Sequence, residues 1–264
     1  MPLTEFQREV FATLRRSRSP DSFVFGATVL NAGPDTPRYS RDIDLCHDAE
    51  HAVAECAAAD ESTLVSAGYA VRWHLRLPTF HRAEITRADG SVKLEWVHDS
   101  AFRFFPVEQD DELGYRLHRF DAATNKLLAL SARSEARDFV DAIHLDVTYV
   151  SLGALAWAAS GKDEGLNPLL ILELSNRFAH HRQADIDALH LSAPLLLPEL
   201  KQRWTAALAA GRLLIEALPL EEIGCAYLDP ISRQPTTPDP AAPGFASLIR
   251  HRGTVGGAWP VAQA

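Results

Sequence analysis

The sequence predicts an α+β chain: an α/β domain built on a mixed β-sheet, followed by a helical C-terminal bundle. Three observations carry that class. Short extended runs broken by Gly, Pro and Asp fill the first 120 residues. The alternating runs of "FHRAEITRADGSVKLEWVHD" meet at Asp89-Gly90, a strong hairpin signal. Beyond residue 120, apolar residues recur at three-to-four spacing over long stretches. A chain of 264 residues with 47% hydrophobic content can bury one large core or two moderate ones. The expected division is a first domain over 1–120, a helical domain over 121–228 and a Pro/Gly-rich tail over 229–264.

The elements follow in order. "MPLTEFQREVFATLRRSRS" scatters charges through its apolar positions, which marks an amphipathic helix and not a signal peptide. "SFVF" (22–25) is a short buried strand running into Gly26, "AGPDTP" a loop, and "RYSRDIDLC" (38–46) a second strand. "DAEHAVAECAAAD" is a helix that Asp48 can cap, because a carboxylate there accepts the free amide hydrogens of the first turn. After the hairpin, Asp121 can cap a helix that "RSEA" interrupts, and a second helix starts at Arg137. "NPLLILELSNRFAHH" and "LLPELKQRWTAALAAGRLLIEAL" carry the stripes of packed helices. The last 36 residues are too rich in Pro and Gly for regular structure and are expected to wrap the surface.

Composition excludes several classes. Three cysteines with no Cys-x-x-Cys pair argue against a disulfide framework and a structural zinc site. No run reaches the ~18 apolar residues of a membrane span, so no membrane is expected and the cytoplasm is the default location. A net charge of −9 leaves no broad basic face, so any contact with nucleic acid must be local or bridged by metal ions.

The chemistry concentrates in the second strand. Successive strand side chains point to opposite faces, so Asp42 and Asp44 emerge together while Ile43 and Leu45 enter the core. Two carboxylates in one small space repel unless a cation lies between them, and hard oxygen ligands suit Mg²⁺. The bland alternative is the solvated face of an edge strand. Thr28, in "FGATVLN", follows a strand that ends in Gly and enters a short helix, where small residues let a phosphate approach the backbone. In "SVKLEWV", Val92, Leu94 and Trp96 point one way and Lys93 and Glu95 the other, so Glu95 is either the third acid of a trio or an exposed cross-strand partner.

Together "FVFGATVLN…RYSRDIDL", "VKLEWV" and "DAATNKLLALSARSEARDFVDAIHL" resemble the AbiEii/AbiGii-type nucleotidyltransferases, a branch of the DNA polymerase β-like superfamily that includes toxins of toxin–antitoxin pairs. The resemblance covers about residues 20 to 147 and departs at Ala27, where the family usually has Gly. It implies a nucleotidyltransferase domain over 1–120, completed by the helical one, that transfers NMP from an NTP to a hydroxyl on RNA, tRNA in particular, or on protein. Asp42, Asp44 and Glu95 would hold two Mg²⁺ ions in the two-metal scheme. Gly26, Ala27 and Thr28 would face the triphosphate, and Lys126, with Arg133 on the same helical face, would neutralise its charge. Asp138 would orient Lys126. An antitoxin would be a partner. Read without the resemblance, Lys126 is a solvated side chain and Arg137-Asp138 a helix-start charge pair.

Three other readings compete. His47-Asp48-Ala49-Glu50-His51 matches the His-x-x-Glu-His pattern of an inverted zinc peptidase. His47 precedes the expected helix, however, so the two imidazoles diverge and are read as exposed, as is the His180-His181 pair. A metal-dependent nuclease or sugar-nucleotide transferase could use the same acidic trio. A catalytically silent binding protein is the third. For an acceptor surface the bundle offers few cations: Lys201, Arg203 and Arg212.

Overall fold

Strand alternation and helical stripes become, in the computed structural model, two units: Met1–Ala101 with Pro106–Ala122, and Phe102–Phe105 with Ala123–Ala264. The structure describes residues 3–31, 33, 36–177 and 181–260, so part of the "AGPDTP" loop and His180 lie outside the described residues.

The first unit opens with α1 (Glu5–Leu14), where Thr4 and Gln7 form a reciprocal capping box. Then come β1 (Ser22–Val24), α2 (Ala27–Leu30), β2 (Asp42–His47), α3 (Glu50–Ser66), β3 (Ala70–Leu77), β4 (Phe80–Arg87) and β5 (Gly90–His98). β6 (Phe102–Arg103) belongs to the second unit, and β7 (Glu108–Asp110) and β8 (Gly114–Arg116) complete the sheet of the first. The strand order is β3-β4-β5-β2-β1-β8-β7. β2 lies parallel to β5 and β1 parallel to β8, while the other neighbours are antiparallel, giving the mixed sheet that the sequence predicts.

The parallel register of β2 and β5 sets Ile43 beside Leu94 and Leu45 beside Trp96, all four fully buried on one face. α3 covers that face: the Trp96 indole donates to Asp60 Oδ2 at 2.8 Å. Asp60 also pairs with the buried Arg18, which donates to Ser22 Oγ at 3.0 Å. By alternation the opposite face carries Asp42, Asp44, Lys93 and Glu95.

Three local expectations shift. α3 begins after Ala49, with no side-chain cap, so Asp48 lies one residue outside the capping position. The hairpin turns on Ala88-Asp89, since Arg87 pairs with Gly90 and Gly90 already belongs to β5. Gly90 is required there for another reason: a Cβ would lie 2.8 Å from the Phe6 ring, which packs against it from α1. Asp121 falls inside the first turn of α4 (Arg119–Ala132) and not at its cap.

α4 starts in the first unit and continues into the second. There α5 (Ala136–Thr148), α6 (Leu152–Ala159), α7 (Pro168–Ser175), α8 (Gln183–Asp187) and α9 (Leu197–Ala217) form the helical part. α6 is apolar and buried on every side, as befits the central helix of a bundle. It meets α9 at a glycine pair, where a Cβ on Gly153 would lie 2.7 Å from Gly211 Cα and 2.8 Å from its carbonyl oxygen. Neither backbone can retreat cheaply, so Gly153→Ala is expected to destabilise this unit by about 2 kcal/mol, read as a lower urea midpoint at unchanged slope.

The tail holds more order than its composition suggests. β9 (Cys225–Leu228) pairs with β10 (Ile249–Arg252), and β11 (Thr254–Val255) pairs with β6. Arg250 donates to Glu222 Oε1 at 2.8 Å, and His251 Nε2 lies 2.7 Å from the Phe104 carbonyl, so side chains of "IRHR" anchor the segment between its Pro-rich loops. Among the described residues no single helix is long and apolar enough to cross a membrane.

Candidate active site

β2 ends its loop approach at Asp42 and enters the sheet between β1 and β5; the β5 ladder runs along both of its acids, while β1 pairs only with Leu45, Cys46 and His47. Asp42 lies opposite Lys93, and Asp44 opposite Glu95. Asp42, Asp44 and Glu95 are therefore brought onto one face of two adjacent strands, as alternation predicts. Lys93 Nζ lies 2.9 Å from Asp42 Oδ2 and 3.7 Å from Glu95 Oε1. Arg82, opposite Glu95 on β4, donates from Nε to Glu95 Oε1 at 2.8 Å. The Asp42 and Glu95 side chains are 15% and 14% exposed, so these are half-sheltered pairs whose strength solvent moderates.

The turn between β1 and α2 presses on the same face. Phe25 N–H donates to the Asp44 carbonyl at 3.1 Å. Gly26 adopts φ 70°, ψ −146°, a region open to Gly and strained for other residues, and a Cβ there would lie 2.7 Å from Asp44 Oδ2. Glycine is thus required by its dihedrals, and its missing side chain leaves the Asp44 carboxylate where it stands. Thr28 is buried, and its hydroxyl donates to the Asp42 carbonyl at 3.4 Å, tying α2 to the acidic strand. Ala27 opens that helix with its side chain part-exposed.

The donor set fits a hard divalent cation: carboxylate oxygens from Asp42 and Asp44 on one strand and Glu95 on the next. The side chains are not gathered into a ready ligand cluster. Among the described residues no three His, Cys, Asp or Glu side chains stand close enough together to hold a metal ion. Two of the three acids pair with cations, Asp42 with Lys93 and Glu95 with Arg82.

In the second unit, Lys126 on α4 and Asp138 in the first turn of α5 meet at 2.7 Å, and Asp141 Oδ2 lies 3.2 Å from the same ammonium. Arg133 Nε donates to Asp138 Oδ2 at 2.8 Å. Lys126, Asp138 and Asp141 are buried, which sets aside the reading of Lys126 as a solvated side chain. Burial alone would raise the Asp138 pKa, but Lys126 and Arg133 outweigh it and hold the carboxyl below the ordinary aspartate value.

The histidine motif resolves differently. His47 is the last residue of β2 and His51 lies in α3, so no continuous helix carries both. His51 is exposed as expected, but His47 is fully buried, because its odd-numbered position puts it on the core face with Ile43 and Leu45. Among the described residues neither of its ring nitrogens has a hydrogen-bond partner. Burial, reinforced by Arg18 and His98, lowers its pKa from 6.5 to about 4. Between those values the unfolded chain binds more protons than the folded one, so stability falls as pH drops from about 6.5 to about 4, by up to ~3 kcal/mol. Urea titrations at pH 7 and pH 5 should show this loss, and His47→Leu should flatten it.

Sequence reasoning left Arg82 and Asp141 unassigned and gave Lys93 no role. Lys93 shares Glu95's phase on β5, and Asp141 sits three residues from Asp138 on one helical face, so both had a periodic signal.

No protein-family model and no curated protein matches the chain. Solved structures do. JHP933 from Helicobacter pylori matches at 18% identity over 79% of this chain and 90% of its own, with a TM-score of 0.51. MenT4, the nucleotidyltransferase toxin Rv2826c from Mycobacterium tuberculosis H37Rv, matches at 14% identity over 82% and 83%, with a TM-score of 0.59. The chain has a nucleotidyltransferase fold. That is the fold the resemblance implies, and in this nucleotidyltransferase fold the Asp-x-Asp strand β2 lies at the centre of the mixed sheet.

Proposed function

We propose that the chain is a Mg²⁺-dependent nucleotidyltransferase that moves NMP from an NTP to a hydroxyl acceptor on RNA, a tRNA end in particular, or on protein. The observation that carries this reading is the β2/β5 register, which puts Asp42, Asp44 and Glu95 on one face beside the Gly26 turn. Divalent ions bound there would lower the pKa of the attacking hydroxyl and neutralise the pyrophosphate leaving group. Asp42 and Asp44 would hold them, with Glu95 as the third acid. Glycine at position 26 keeps the space beside Asp44 free of a side chain, where a phosphate must come close. Lys126, with Asp138 and Asp141 fixing its ammonium and Arg133 fixing Asp138, is the candidate for binding the β- and γ-phosphates, as the family resemblance assigns it.

The likeness to a nucleotidyltransferase toxin extends the proposal to a toxin, and the family resemblance adds an antitoxin partner, with the cytoplasm as the proposed location. Titration of ATP, CTP, GTP and UTP with Mg²⁺ by calorimetry tests the reading. At least one should bind saturably and should lose that binding in an Asp42→Asn/Asp44→Asn double variant. No heat from any of the four, with the protein folded by circular dichroism, removes the proposal.

A further inference from the structure

Lys93 stands directly beside Asp42 in the parallel register, and its ammonium reaches both Asp42 at 2.9 Å and Glu95 at 3.7 Å. Arg82 on β4 donates to the same Glu95 oxygen at 2.8 Å. A lysine placed only to solubilise a strand face would extend into water, yet this one, 39% exposed, turns back across two acids on neighbouring strands. We infer that Lys93 is an internal counter-cation of the acidic face: its ammonium lies between Asp42 and Glu95, must withdraw before both can turn to a divalent ion, and so sets the metal affinity of the site.

The inference rests on the proposed metal role of Asp42, Asp44 and Glu95, and it is a statement of competition. Two cations seek the same carboxylate oxygens, so the free energy that holds Lys93 in place is subtracted from metal binding. The ammonium also offsets the repulsion between acids that share one sheet face. Lys93 is thereby a positioning residue, and its effect is on an equilibrium constant that a merely structural lysine would leave alone.

The test is Mn²⁺ binding to the nucleotide-free full chain, followed by the electron paramagnetic resonance signal of free Mn²⁺ at fixed ionic strength. Lys93→Met should bind about tenfold more tightly than the wild type, equivalent to ~1.4 kcal/mol of relieved competition. Lys93→Arg keeps the charge and should stay within about threefold of the wild type. Equal or weaker binding by Lys93→Met, with wild-type binding intact, overturns the inference and leaves the metal site standing. Absence of Mn²⁺ binding in the wild type and in Lys93→Met alike overturns the metal assignment, and the inference with it.

Discussion

Asp44→Asn eliminates the transfer of label from an α-³²P nucleoside triphosphate, lowering the rate by on the order of 10³-fold or more, with the melting temperature close to that of the wild type. Both halves of this expectation follow from where Asp44 stands. Its side chain projects from the face opposite the buried Ile43 and Leu45, so no core packing depends on its charge. Asn has the same shape, so the contact with Gly26 and the pairing of β2 with β1 and β5 survive. What disappears is one negative charge at the position proposed to hold a divalent ion. Label transfer is measured with cellular RNA and protein as acceptors, and unfolding by calorimetry on the same preparation. An active variant removes Asp44 from the chemistry, whereas an inactive variant that melts early leaves its role structural.

Lys126→Met destabilises the second unit by about 3 to 5 kcal/mol at neutral pH, a fall in melting temperature of roughly 10 °C. Removing the ammonium leaves two buried carboxylates, Asp138 and Asp141, near one another, with Arg133 as the remaining partner of Asp138. The pH dependence identifies the cause. In the wild type Asp138 has a lowered pKa, so its pairing contributes stability above the ordinary aspartate value of 3.8 and loses it as pH falls through the lower folded value. In the variant Asp138 loses the lowering influence of Lys126 and is easier to protonate. The difference between the two proteins is therefore large at pH 7 and shrinks as the pH approaches 4. A variant as stable as the wild type at pH 7 would show that the buried ion pair contributes nothing.

Much of the acidic face was legible because strand alternation is a property of the backbone. "RYSRDIDLC" and "SVKLEWV" assign Asp42, Asp44 and Glu95 to non-core faces from their buried neighbours alone. Their cations were not legible, since a cross-strand partner depends on register. A turn centred on Asp89-Gly90 would set Glu84 opposite Glu95, whereas the observed Ala88-Asp89 turn sets Arg82 there. One residue of slip replaces a like-charge neighbour with an ion pair. The dipeptide signal misplaced the turn because Gly90 serves the Phe6 contact and not a left-handed turn conformation.

Long-range partners account for the other differences. The helical run around Lys126 gives its position but not its burial, which comes from the two aspartates of α5. "IRHR" is only four residues long and pairs with Cys225–Leu228 across 20 intervening residues, too far for any local pattern to announce a strand. The place of His47 just before the expected helix reads as exposed, although its odd phase with Ile43 and Leu45 points inward, and it is buried.

The proposed role of the acidic face of β2 and β5 is to direct nucleotidyl transfer. It is tested most directly by presenting the wild-type protein, with Mg²⁺ and cellular RNA and protein as acceptors, with each NTP labelled either at the α- or at the γ-phosphate. Acceptor labelling is expected from the α-position of at least one nucleotide, with pyrophosphate released and no acceptor label from the γ-position. Labelling from the γ-position alone, or from neither position with any of the four nucleotides and a folded protein, would contradict it.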